Sequence, residues 1–262
     1  MQERQTAPAA SSGSRLLAAA LELGLVAVVY LLYRAGRMVT LDAERTALAN
    51  AVDVRNLQQA LRLPSEASLQ ALVPSIDLLE SANVYYVAVH FPVTIGFLLW
   101  GYLRRPRAEY VWARNLMVVQ TAFSVVLHIV YPLAPPRMFP DWGFVDTMTV
   151  YGPSAYDGAS AAVANQYAAM PSLHVGWSVL IAVVVSRTGP AILRRLAVAH
   201  AAVTITVVTV TANHWFLDGA VAVGLLGLAL LVFPAPGVSR LPLVRPRFER
   251  LRQPAREEQA RR

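Results

Sequence analysis

Two histidines, one aspartate and one arginine stand out in this chain because of their neighbours. In TANHWFLDGAVAVG, residues 211–224, His214 and Asp218 are four positions apart, which puts them on one face of a helix. A carboxylate bonded to one imidazole nitrogen fixes the tautomer and leaves the other nitrogen free as nucleophile or base. In MPSLHVGWS, residues 170–178, Pro171 sets a turn and Ser172 can cap the helix that follows. The N–H groups of such a helix end cradle an anion within reach of His174. In YPLAPPRMFPDWG, residues 131–143, Arg137 follows the stiff pair Pro135 and Pro136 and is the only arginine between Arg114 and Arg187. Arginine suits bidentate phosphate binding. Together these groups match phosphoryl transfer through a phosphohistidine. One histidine attacks phosphorus, the aspartate supports it and the second histidine protonates the leaving oxygen. The arginine and backbone N–H groups hold the phosphate oxygens.

The elements that must position these groups read as membrane spans. Of the 262 residues, 56% are hydrophobic and 15% charged, with a mean hydropathy of +0.45; a soluble domain carries about a quarter charged residues. The apolar residues come in runs, and about 20 residues of helix cross a bilayer. Six runs are expected to span, at about 15–33, 82–102, 113–132, 172–187, 190–212 and 215–233. The expected fold class is all-α: a polytopic membrane protein, a six-transmembrane-helix bundle with an extracytoplasmic active-site loop. It divides into a disordered tail over 1–14, a membrane catalytic domain over 15–233 and an Arg/Pro-rich cytoplasmic tail over 234–262.

Two connections are long enough to carry structure of their own. In RTALANAVDVRNLQQALRLP, the positions of Leu48, Val52, Leu57, Leu61 and Leu63 fit an amphipathic surface helix. A loop from Leu133 to Pro171 holds Phe139, Trp142, Phe144, Tyr151, Tyr156 and Tyr167, an aromatic content that favours an ordered, functional loop.

Arginine supplies all 23 basic residues, and the net charge is +7. The arginines flank apolar runs, which is the pattern of a membrane protein and not of a nucleic-acid partner. With both termini cytoplasmic, sixteen arginines fall inside and six outside, as the positive-inside rule requires. His174 and His214 then both open at the extracytoplasmic surface. Cysteine is absent, so disulfide and thiolate chemistry are excluded. The first run is too long for a cleavable signal peptide.

PSLH in the fourth span and NHWFLD opening the sixth resemble the second and third signatures of the type-2 phosphatidic acid phosphatase (lipid phosphate phosphatase) superfamily. APPR, AAMPSLH and the His214–Asp218 spacing look most like the branch that includes inositol-phosphorylceramide synthases. The resemblance covers roughly 110–230. It implies that His214 is the nucleophile, Asp218 its orienter and His174 the general acid, with Arg137 and Ser172 on the phosphate. No metal and no cofactor are expected. Two features of the family are missing. Its first signature carries a Lys where this chain has Val130, and its third carries Ser-Arg where this chain has Val207 and Val208. Gln166, Tyr167, Thr209 and Asn213 are the neutral donors that could replace those groups.

The resemblance implies a lipid phosphatase or phosphotransferase acting on a lipid phosphate or isoprenoid phosphate among membrane lipids. In a transferase an alcohol such as inositol would be the acceptor. A catalytically inactive relative that binds lipid phosphate is the alternative that the missing cations favour. A transporter would want paired charges near the bilayer midplane. Glu22 and Arg114 are expected to pair near the inner face, and His90, His128 and His200 to bond neighbouring helices. No metal-like spacing joins Asp141, Asp146 and Asp157.

Overall fold

The computed structural model describes residues 12–39, 43–156 and 165–237. The tails expected over 1–14 and 234–262 lie largely outside these residues, as does Asp157. Among the described residues ten α-helices follow one another: α1 (Ser12–Val39), α2 (Glu44–Ala60), α3 (Glu66–Ala71), α4 (Ile76–Ala88), α5 (His90–Arg104), α6 (Arg107–Val130), α7 (Thr147–Tyr151), α8 (Leu173–Thr188), α9 (Ala191–Val210) and α10 (Phe216–Val232). An isolated parallel bridge joins Leu133 to Ala168.

Three of these helices, α1, α6 and α9, are long and apolar enough to cross a membrane. The run expected as one span over 82–102 belongs to two helices, α4 and α5, bent by 41°. Pro92 explains the break. It has no N–H to give the Ala88 carbonyl, so the ladder fails at Val89. If the bent pair is one span, it is the fourth. α8 and α10 are apolar but shorter, at 16 and 17 residues. Gly189 and Pro190 stop α8 and restart the chain as α9.

One core of the bundle is apolar. Phe97, Trp112, Leu116, Met117, Leu180, Ile181, Val184 and Leu226 pack together across α5, α6, α8 and α10. Lipid is as apolar as these side chains, so close packing and internal hydrogen bonds must hold the helices together. Gln120 of α6 donates from Nε2 to the Ala222 carbonyl of α10 at 3.0 Å. It reaches across Gly176 of α8, where a Cβ would lie 2.5 Å from that nitrogen. α1 exposes Leu21, Leu23 and Leu31 but is tied to α6 through Glu22. That carboxylate takes Arg107 at 2.6 Å, Arg114 at 2.7 Å and Tyr110 at 3.0 Å, so the expected Glu22–Arg114 pair forms.

A second core lies beside the long loop. Trp215 sits in it among Ala47, Ala51, Val54, Leu133, Ala134, Phe144, Ala169 and Ala212. The stripe that α2 buries is Ala47, Ala51, Val54 and Gln58; its larger residues Val52 and Leu57 face outward, as do Leu61 and Leu63 beyond its end. Small side chains let α2 lie flat on the loop. Polar side chains then clamp the loop to the helices. Asn50 bonds the Pro132 carbonyl at 2.8 Å. Gln70 bonds Val145 through both its amide groups and also the Val210 carbonyl. Asn83 takes the Thr147 hydroxyl at 2.8 Å and donates to the carbonyls of Thr147 and Gly152.

Gly176→Ala should force Gln120 off the Ala222 carbonyl. Overpacking of this kind costs about 1–3 kcal/mol. The detergent-solubilised variant should therefore melt several degrees lower than the parent, read by thermal unfolding.

Candidate active site

Backbone hydrogen bonds bring the three sequence segments together. Leu133 N–H donates to Tyr167 O at 2.8 Å, and Ala169 N–H returns to Leu133 O at 3.2 Å. Arg137 N–H donates to Ala212 O at 2.8 Å, and Ser172 N–H to Asp218 O at 3.2 Å. Trp215 Nε1 closes the set on Ala134 O at 2.9 Å. After α9 the chain reverses at Ala212, whose φ of 53° is left-handed, a conformation that costs a non-glycine residue about 1 kcal/mol. The reversal lets the N–H groups of Asn213 and His214 both return to Val208 O, at 3.1 and 3.2 Å.

His214 is held by its Nδ1. That atom lies 2.8 Å from the Ala169 carbonyl oxygen and 3.3 Å from Asp218 Oδ2. A carbonyl only accepts, so Nδ1 carries the proton and Nε2 keeps its lone pair. The expected His–Asp contact is present, but the shorter bond to a ring nitrogen is the one to Ala169. Asp218 Oδ2 takes its shortest bond, 2.8 Å, from Trp215 N–H. Burial pushes the His214 pKa down from 6.5 to about 4; the Ala169 bond opposes this and the Arg137 charge adds to it. The ring is therefore neutral at physiological pH.

His174 stands across from it, with ring centroids 6.0 Å apart. Its ring stacks on Tyr86 at 4.2 Å, and its Nε2 is buried without a hydrogen bond among the described residues. Ser172 caps α8, its Oγ accepting from Val175 N–H at 3.3 Å. The N–H groups of Leu173 and His174 in that first turn have no acceptor among the described residues.

Arg137 is only 7% exposed. Its Nη1 bonds Asp146 Oδ2 at 3.1 Å, and its guanidinium lies 4.0 Å from the centre of the Tyr156 ring. Burial works against its charge, but Tyr156 and Asp146 outweigh that and hold the group above its ordinary pKa. Nε and Nη2 have no partner among the described residues. Those two N–H groups lie on one edge of the guanidinium, the geometry suited to two oxygens of one anion.

The other expected donors are placed less centrally. Asn213 spends its amide N–H on Thr211 Oγ1 at 2.8 Å and leaves Oδ1 buried without a bond. Thr209 donates back to Ile205 O at 2.9 Å. Gln166 is exposed. The Tyr167 hydroxyl pKa is raised by burial and by Glu44, while Arg137 opposes. Val130, where the family has a Lys, is 67% exposed, and Val207 and Val208 are buried in an apolar cluster. Of the remaining histidines, His128 donates to Pro171 O at 3.2 Å and His200 pairs with the Tyr85 hydroxyl at 2.6 Å. His90 differs: it is 1% exposed, neither nitrogen has a partner among the described residues, and its ring lies 4.5 Å from that of His174.

The sequence reading passed over Gln58, Glu66, Gln70 and Asn83, all buried and all bonded to the loop or to the start of α10. A signal existed for Gln58. It continues the stripe of Ala47, Ala51 and Val54 at helical spacing, where a polar residue must find a partner.

Two imidazoles face each other near a guanidinium edge that has no partner among the described residues, on an all-helical scaffold with span-length helices. A family model described as the PAP2 superfamily matches residues 52–232, well over half of the chain, and the chain belongs to that superfamily. Its domains are membrane-associated and are typically phosphatases or phosphotransferases, so the chain is an enzyme of that broad type. Comparison with curated proteins and with solved structures returns no match.

The neutral form of His214 should persist down to about pH 4. The acid limb of kcat/KM should then lie near pH 4, with activity full above it and lost as pH falls through it. A limb centred at 6.5, the unperturbed histidine value, would contradict this. The same group binds its proton first in the unfolded chain. Stability should therefore decline as pH falls from 6.5 toward 4, measurable by melting across that window.

Proposed function

We propose that this chain is a multi-pass membrane lipid phosphatase or phosphotransferase that works without a metal through a phosphohistidine at the extracytoplasmic face. The observation that carries the reading is the ring of His214, whose Nδ1 is pinned to Ala169 and Asp218 while Nε2 keeps its lone pair beside His174. That lone pair attacks phosphorus. The bond from phosphorus to the leaving oxygen breaks, its electron pair stays on oxygen, and His174 supplies the proton. In the second step water, or an alcohol such as inositol, attacks phosphorus and gives its proton to His174. The P–N bond then breaks and its pair returns to Nε2. The free edge of Arg137 and the open N–H groups of α8 hold the phosphate oxygens as charge develops on them.

The substrate is read as a lipid phosphate or isoprenoid phosphate. Among the described residues of the site, Arg137 is the only permanent cation, and no Lys stands anywhere in the chain. That economy of charge supports the inositol-phosphorylceramide-synthase-like branch, in which a phospho-headgroup moves to an alcohol. The arginine balance, sixteen against six, supports cytoplasmic termini.

Phosphate release would be followed with phosphatidic acid, an isoprenoid phosphate and phosphatidylinositol, in chelator, with and without inositol. Release without an acceptor marks a phosphatase; acceptor-dependent loss of lipid marks a transferase. His214→Ala should abolish both turnover and trapped phosphoenzyme, and full activity in that variant would rule out His214 as nucleophile. Arg137→Lys keeps the charge but loses the paired edge, and should lower kcat/KM roughly 100- to 1,000-fold.

A further inference from the structure

The start of α10 carries Asp218 and directly follows His214, so whatever holds that helix end also holds the nucleophile. A helix N-terminus leaves its first N–H groups without intrahelical partners. Here every one of them is engaged. Trp215 N–H goes to Asp218 Oδ2 at 2.8 Å, within the segment itself. The next two are met from far away in the chain. Phe216 N–H donates to Glu66 Oε1 at 2.8 Å and Leu217 N–H to Gln58 Oε1 at 3.1 Å, across 150 and 159 residues. Gln58 Nε2 in turn donates to the same Glu66 oxygen at 2.8 Å, tying α2 to α3.

Both side chains are buried, Gln58 at 4% and Glu66 at 2% exposure. Burying a carboxylate is costly without charge-assisted bonds. A helix N-terminus is a favourable place for its negative charge. The contrast with α8 is informative. The two helix ends flank one site, yet the first-turn N–H groups of Leu173 and His174 stay unbonded among the described residues. One end is open to an anion and the other is plugged.

We infer that Gln58 and Glu66 are positioning residues for phosphoryl transfer: as a paired clasp on the start of α10, they hold His214 where its Nε2 can meet a phosphate seated between Arg137 and the open end of α8. This inference rests on the proposed function. The clasp touches no substrate and acts only through His214. A nucleophile displaced by about 1 Å can cost on the order of 100-fold in rate.

The test compares Glu66→Ala, Glu66→Gln, Gln58→Ala and His214→Ala in the full chain, each checked for folding by thermal melting. Glu66→Ala should lower kcat by about tenfold or more with KM within about twofold, because the substrate contacts are untouched. Glu66→Gln keeps an oxygen that can accept from both donors and should retain kcat within about threefold. Gln58→Ala should fall in the same direction as Glu66→Ala, and it decides the matter if Glu66→Ala does not fold. A folded Glu66→Ala or Gln58→Ala with kcat within twofold of the parent, beside an inactive His214→Ala, overturns the clasp while leaving the proposed function standing. Glu66→Gln as weak as Glu66→Ala also overturns it. An active His214→Ala removes the proposed nucleophile and the clasp with it.

Discussion

The bond between His214 Nδ1 and the Ala169 carbonyl is the interaction on which the rest depends. At 2.8 Å it decides which ring nitrogen carries the proton, and it joins the segment before α8 to the segment before α10. For that carbonyl to stand in place, residues 167–169 must run beside Leu133, which they do through two backbone bonds. For the imidazole to meet it, the chain must reverse sharply after α9, which it does at Ala212 with a left-handed φ. The strain at Ala212 and the burial of His214 are both unfavourable taken alone. They persist because the surrounding bonds over-determine the geometry.

The frame around that bond is polar side chains acting on backbone. Asn50, Gln70 and Asn83 hold the loop, Gln58 and Glu66 hold the start of α10, and Gln120 ties α6 to α10. This suits a bundle whose surroundings offer little hydrophobic drive for helix association. Gln70, Asn83, Gln58 and Glu66 each make more than one hydrogen bond, so the described parts of the loop and the start of α10 are fixed by direction as well as by packing. Trp215 serves both ends at once, filling the loop core and donating to Ala134.

Charge at the site is sparing. Arg137 is oriented by Asp146 and Tyr156, so its remaining edge is held in one direction. Val130 points away from the protein and Val207 and Val208 serve packing, so the positions where relatives carry further polar groups take no part in holding charge. The other N–H groups at this face without an acceptor among the described residues are those at the start of α8.

What the sequence by itself determined is mostly local: the apolar runs, the cap at Ser172 and the face shared by His214 and Asp218. The Glu22–Arg114 pair, 92 residues apart, was legible as well, because opposite charges in apolar helices must find each other. Periodicity, capping and residue chemistry act over a few positions and leave a readable pattern. The motifs around His174, His214 and Arg137 also stood out, because ionisable groups are conspicuous in apolar surroundings. Tertiary structure alone decided that Ala169 makes the shorter bond to His214, that the His90 ring lies against that of His174, and that Gln58 and Glu66 belong to the start of α10. These are contacts across 45 to 159 residues. A hydrogen bond between distant segments imposes no spacing on either one, so nothing in the order of residues announces it.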